Sequence, residues 1–265
     1  MTTDPIYALG DIHGQKAMLD RALALIEADG GPDAKVVFLG DYTDRGPDSK
    51  SVLDLLITGQ KAGRNWHFVM GNHDRFFSHW VQFGREHDPR VASGISWLNP
   101  RLGGTATLAS YGITSDPEPT FTRNEADLEV LVHFQKGNAI IPPSDVQDMA
   151  QEAVPQEHLN FLDDLPLTFE TDDLLFVHAG IKPGIPLVAQ DAEDLIWIRD
   201  GFLDDQTDHG KLIVHGHTAL EAPQHFGNRI DLDGGAGFGR ALIPAVFEGR
   251  DCSLLSPGGR QPLLP

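Results

Sequence analysis

At 265 residues the chain suits one large α/β domain with room for an insertion. Its formal net charge of −19 leaves no basic surplus to displace counterions from phosphates, which argues against a duplex nucleic-acid partner. No apolar run approaches the roughly eighteen residues that a membrane span needs, and the lone Cys252 cannot close an internal disulfide.

Ile6 to Leu9 predicts a short buried strand, and Gln15 to Ala28 an amphipathic helix with Met18, Leu19, Ala22, Leu25 and Ile26 on one face. Val36 to Leu39 is a second apolar strand. Ser49 to Gly59 is a second helix with Val52, Leu55 and Leu56 inward, and His67 to Met70 is a third strand. This β-α-β-α-β order predicts a parallel sheet with covering helices. Each strand runs into a glycine and then a polar residue: Gly10-Asp11, Gly40-Asp41 and Gly71-Asn72. Ligands of open α/β sheets collect just outside the carboxyl ends of the strands, so Asp11, Asp41 and Asn72 should converge.

Residues 76–170 break the pattern with aromatic and polar stretches and the prolines Pro117, Pro119, Pro142 and Pro143. They read as a mostly helical insertion within a single domain spanning 1–265. Strands resume at Leu174 to Val177, before His178-Ala179-Gly180, and at Leu212 to Val214, before His215-Gly216-His217. Arg229 to Leu232 and Leu242 to Phe247 read as closing strands of a second sheet. Gly234, Gly235, Gly237 and Gly239 read as a turn between them, since no helix pattern follows.

Five segments carry the chemistry: Gly10-Asp-Ile-His-Gly14, Gly40-Asp-Tyr-Thr-Asp-Arg-Gly46, Gly71-Asn-His-Asp74, Val177-His-Ala-Gly180 and Val214-His-Gly-His-Thr218. Singly, each reads as a turn in which Gly supplies unusual dihedrals and Asp caps an amide. Together they supply carboxylates, an amide oxygen and imidazoles at strand ends, without a thiolate. Those are ligands for Mn2+, Fe, Zn2+, Co2+ or Ni2+, and two such ions side by side suit in-line displacement at phosphorus.

In the same order, the five segments match the GDxHG, GDxxDRG, GNH[ED], H[AG]G and GH signatures, and the chain resembles the phosphoprotein phosphatase family of calcineurin-like metallophosphoesterases, closest to its bacterial and phage-type Ser/Thr phosphatases. The resemblance implies an α/β fold, a central β-sandwich of two mixed sheets flanked by helices. It also implies two divalent metal ions, Mn2+ foremost, held by Asp11, His13, Asp41, Asn72, His178 and His217, with Asp41 bridging. By the same resemblance His73 is the general acid, Asp44 its hydrogen-bond partner favouring the imidazolium, and Arg45 and Arg199 the phosphate clamp. His215 is a neighbour rather than a ligand, and Asp74 supports its loop. No match is found to the Ser-Ala-Pro-Asn-Tyr segment whose tyrosine lines the substrate site in eukaryotic members.

The expected activity is hydrolysis of phosphate monoesters, in a phosphorylated protein or peptide or a small phosphoester. Symmetrical dinucleoside tetraphosphate hydrolysis, or another attack on a nucleotide or RNA 5′-end anhydride, is the alternative. Relatives with that activity typically lack an Asp before the motif arginine, so Asp44 favours monoester work, where an alkoxide leaving group needs a proton. A binding module that has lost catalysis is the third reading, against which stands a ligand set with no member missing. The lone cysteine and the absence of a secretory pattern at Met1 to Gly10 point to the cytoplasm, and the oligomeric state is left open.

Overall fold

In the computed structural model, which describes residues 4–265, side-chain alternation sets the first strand between two cores. Strand β1 (Ile6–Leu9) sends Ile6 and Ala8 to one face and Tyr7 and Leu9 to the other, as the two-residue period of a strand requires. Helix α1 (Lys16–Gly30) buries Leu19, Ala22 and Ile26 at helical spacing and leads into β2 (Lys35–Phe38). Helix α2 (Ser49–Lys61) starts at Asp48, whose side chain accepts from the Ser51 amide at 3.1 Å, and β3 (Trp66–Phe68) follows. These three strands are parallel.

Helix α3 (Asn72–Phe83) begins at the third motif, and α4 (Gly104–Ser110) lies beside α2. A small antiparallel sheet of β4 (Thr120–Arg123), β5 (Glu129–Lys136) and β6 (Ala139–Ile141) comes next, then α5 (Pro143–Ala153) and α6 (Gln156–Asp163). The segment 76–170 therefore carries a three-stranded sheet alongside its helices and is not simply helical. In β5 the buried residues are Leu131 and Phe134, three apart, a spacing that reads as one helical turn.

The rest of the chain supplies β7 (Thr168–Glu170), β8 (Leu174–Val177), α7 (Ala192–Trp197), β9 (Leu212–His215), β10 (Gln224–His225), β11 (Arg229–Asp231), β12 (Ala245–Glu248), β13 (Asp251–Ser256) and β14 (Gly259–Pro262). One sheet has the order β14-β13-β12-β1-β2-β3, the other β10-β11-β9-β8-β7. Both are mixed. The strand expected at Leu242 to Phe247 closes the first sheet, not the second: β12 runs antiparallel to β1 with Ala245 opposite Ala8. Sequence order gives no sign of this return, because the chain crosses between sheets in the glycine-rich turn.

The sheets pack face to face. Ala8, Val37 and Phe247 of one meet Phe176, Val214 and Ile230 of the other, and the Phe176 and Phe247 rings lie edge to face at 5.7 Å. Tyr7, Leu9, Val36 and Phe38 face the helical layer, in contact with Leu19, Leu53 and Phe77. On the far side, Val177 and Ile213 pack with Leu195, Ile198 and Phe202. The result is the layered sandwich that the resemblance implied.

Candidate metal centre

All five motifs end on one edge of the sandwich, where β1, β2, β3, β8 and β9 release their chains. Close approach there depends on glycine. A Cβ on Gly71 would strike the Asp41 amide and carboxylate, and one on Gly216 would strike Asp11 Oδ1. Among the described residues six non-glycine residues have left-handed backbone, and five of them are His13, Asp41, Asp44, Arg45 and His217, at φ of 48°, 51°, 71°, 63° and 67°. Such conformations persist only where surrounding contacts enforce them, and here they coincide with the expected site.

The carboxylate of Asp41 sits at the middle. Its Oδ2 lies 3.5 Å from His13 Nε2 and its Oδ1 3.4 Å from His178 Nε2, while Oδ1 accepts from the His73 amide at 3.0 Å. Asp11 Oδ2 is 3.8 Å from His13 Nε2, and its carboxylate accepts from the His217 amide at 3.0 and 3.2 Å. Asn72 Oδ1 is 2.9 Å from both His178 Nε2 and His217 Nδ1. Two groups of ligand atoms, on His13, Asp41 and His73 and on Asp41, His178 and His217, each fall within 4.8 Å of one another.

The donor set fits divalent cations. His13 Nδ1–H donates to the Thr43 carbonyl at 2.7 Å and His178 Nδ1–H to the Leu39 carbonyl at 2.7 Å, which leaves Nε2 of each as a lone pair aimed at Asp41. Burial holds the His13 and His217 imidazoles well below the ordinary range, which favours the neutral form that a metal would need of them. Burial, with Asp233 and Asp41 beside it, drives the Asp11 carboxyl well above its usual value. At Asp41 burial acts the same way, but His178, His73 and Arg45 outweigh it and the carboxyl falls below its usual value. Asp11, Asp41, Asp231 and Asp233 are all buried at this edge, and a buried group of carboxylates is unfavourable without cations among them.

Beside this cluster, Asp44 and His73 form a second unit. His73 Nδ1 lies 2.7 Å from Asp44 Oδ2, and Arg45 donates to His73 Nε2 at 3.0 Å and to His13 Nε2 at 2.5 Å. Thr107 donates to Asp44 Oδ1 at 2.8 Å, and the Trp97 indole N–H to Oδ2 at 2.8 Å. Burial nevertheless pushes the Asp44 carboxyl up to about 8, and burial with Arg45 pushes His73 down to about 3. At neutral pH the metal-free pair thus holds one acidic proton rather than opposite charges. Burial of both groups thus opposes the imidazolium that the resemblance implied.

Every residue read from the motifs reaches this edge, Arg199 included: its guanidinium donates to the His217 carbonyl at 3.2 Å. Asp74 anchors its loop, accepting from the Tyr42 amide at 2.8 Å and the Gly71 amide at 3.2 Å. His215 turns to Arg229 at 3.1 Å. Four contributors were not singled out: Trp97, Thr107, Asp233 and Phe238. The exposed Phe238 ring lies 5.0 Å from the Arg45 guanidinium, an aromatic at the lip of the site that no sequence match announced.

Comparison with known proteins agrees with this geometry. Residues 4–236 match the family described as calcineurin-like phosphoesterase. A protein of Geobacillus thermodenitrificans named bis(5′-nucleosyl)-tetraphosphatase PrpE [asymmetrical] is 26% identical, covering 89% of this chain and 88% of its own. One of the same name from Halalkalibacterium halodurans is 24% identical, covering 97% and 94%. The crystal structure of a cold-active protein-tyrosine phosphatase of a psychrophilic Shewanella superposes with a TM-score of 0.62 at 16% identity, covering 98% of this chain and 80% of that one, which is a likeness of fold. With its ligand geometry, layered sheets and a match spanning most of its length, the chain belongs to the calcineurin-like phosphoesterase family and is a hydrolase of that metal-using class.

Proposed function

We propose that this protein hydrolyses phosphate monoesters, by direct attack of water on phosphorus at a centre of two divalent ions held by Asp11, His13, Asp41, Asn72, His178 and His217. Bound ions, Mn2+ foremost, would supply an activated water and neutralise phosphate charge. The observation that carries the reading is the Asp44–His73–Arg45 unit set against the ligand cluster. Arg45 and Arg199 bring planar forks to phosphate oxygens. Once Arg45 turns to a phosphate, His73 Nε2 faces the leaving oxygen. That release lets the neutral ring exchange through water to its Nε2–H tautomer, with Nδ1 accepting from the protonated Asp44 carboxyl; the Asp44 proton then enters Nδ1 as Nε2 gives its proton to the departing alkoxide. The sole cysteine, Cys252, is buried between the sheets, so a thiol nucleophile plays no part.

Phosphoserine or phosphothreonine in a protein or peptide and small phosphoesters are both substrates of this type, and a reducing cytoplasm is the compartment that suits the chain. The test is phosphate release with Mn2+ from a phosphoserine peptide, from p-nitrophenyl phosphate and from diadenosine tetraphosphate, side by side. Monoester turnover that collapses in His73→Ala for the peptide supports the reading. Failure to release phosphate from either monoester rejects it.

A second reading, dinucleoside tetraphosphate hydrolysis, draws on the two relatives that match over nearly their whole length. Their name specifies the asymmetrical reaction, whereas the motifs alone suggested the symmetrical one. Turnover of the dinucleotide far above both monoesters would favour it.

A further inference from the structure

A cavity of about 570 Å³ opens beside the metal centre, lined by Arg90, Lys182, Asp194, Trp197, Arg199 and Asp200 among others. It shares walls with the centre: the Trp197 and His217 rings lie edge to face at 6.0 Å, and Arg199 donates to the His217 carbonyl. Helix α7, which carries Trp197, is pinned by Arg75 to Glu193 at 2.5 Å and by Arg90 to Asp194 at 3.1 Å. Arg90 and Asp194 therefore neutralise one another. Among the described residues neither Lys182 nor Arg199 makes a direct ion pair; Asp200 shares the lining with them, and the Asp41, Asp11 and Asp233 carboxylates of the centre act on Arg199 from its inner side.

Lys182 rests on a fixed platform, although its side chain is exposed. Gln190 accepts from its amide at 2.7 Å and donates to its carbonyl at 3.0 Å. The buried wall residue Trp197 adds an indole N–H that has no hydrogen-bond partner among the described residues. On a chain of net charge −19, a recess with surplus positive charge at the edge of a phosphoester site is a local reversal of sign.

We propose that this cavity is a subsite for a second phosphate group of the substrate, bound by Lys182 and Arg199, so that the preferred substrates are small molecules carrying two or more phosphates. The inference rests on the reading of the neighbouring centre as a phosphoester hydrolase. An ammonium and a guanidinium together match the charge of a phosphate dianion, and the guanidinium also reaches the reacting centre. The second phosphate can stand elsewhere on the molecule or in the same oligophosphate chain, and the two sources share the recognition chemistry.

Calorimetric titration of the protein as purified with AMP, adenosine 3′,5′-bisphosphate and ATP, repeated on Lys182→Gln, tests it. Expected is tighter binding of the bisphosphate, of ATP or of both than of AMP, with an advantage of about fivefold that Lys182→Gln removes, the worth of one exposed charge pair. Which of the two gains identifies the source. Equal binding of all three, or an advantage that survives in the variant, overturns the subsite. In parallel, turnover of p-nitrophenyl phosphate with Mn2+ should be unchanged in Lys182→Gln, and an equal loss on that substrate would place Lys182 in the general phosphate clamp instead. A loss on an acidic phosphopeptide but not on the adenosine compounds would overturn the small-molecule assignment. If no phosphoester is hydrolysed even by the unaltered protein, the functional reading fails, while the calorimetric comparison still decides the cavity.

Discussion

At the scale of single residues, the Asp44 carboxylate has the sharpest consequence. It holds His73 Nδ1 at 2.7 Å and is itself held by Thr107 and Trp97. Replacing it by Asn removes the proton reservoir behind His73 but leaves the ligand cluster alone. Asp44→Asn should lower kcat for phosphoserine by about a hundredfold, the usual worth of a positioned acid. The loss for p-nitrophenyl phosphate should be far smaller, since a phenolate leaves with little help. Equal losses on both would mean that Asp44 shapes the site rather than feeding a proton. The motif residues themselves were legible because ligand chemistry demands Asp, Asn and His at strand ends. Trp97 and Thr107 were not, since they lie 53 and 63 positions from Asp44 and their type alone fits any core. Nor can letters show left-handed backbone at His13, Asp41, Asp44, Arg45 and His217; glycines beside them were the only trace.

Among the elements, α4 links the middle segment to the site. Thr107 on α4 bonds both the Asp44 side chain and its amide at 2.8 Å, within an all-buried group that includes Ser49. Thr107→Val leaves those polar atoms short of a partner and should destabilise the protein by about 1–3 kcal/mol. It should also reduce phosphoserine turnover, which urea unfolding and kinetics on the same sample would separate; unchanged stability and unchanged kcat together would rule out this support. The middle segment thus brings Thr107 and Trp97 to Asp44, while its small sheet was not legible in the sequence. β4 and β6 are short and largely exposed, and β5 buries residues at helical spacing, so no two-residue alternation marks them. The parallel strands were plain for the opposite reason: buried on both faces, they are unbroken apolar runs ending in glycine.

For the whole molecule, buried carboxylates tie stability to pH and to metal. Asp44 ionises near 8 in the folded protein against an ordinary value of 3.8, so between those limits the folded state retains a proton that the unfolded chain gives up. Stability then falls as pH rises. The buried imidazoles of His13, His73 and His217 act in the other sense, but only below about 6.5, where the unfolded chain is protonated. The melting temperature of the metal-stripped protein should therefore decline between pH 6.5 and 8, and Mn2+ should raise it most at the upper end. A flat or rising profile without metal would contradict the burial of these acids. The hydrogen bond from the His217 amide to the Asp11 carboxylate spans 206 positions of the chain. The first ligand to leave the ribosome must wait for the last, so a nascent chain holds no complete cage for an ion. An ion held by this cage would enter only once nearly the whole chain has been made, open to competition from whichever cation the cell then supplies.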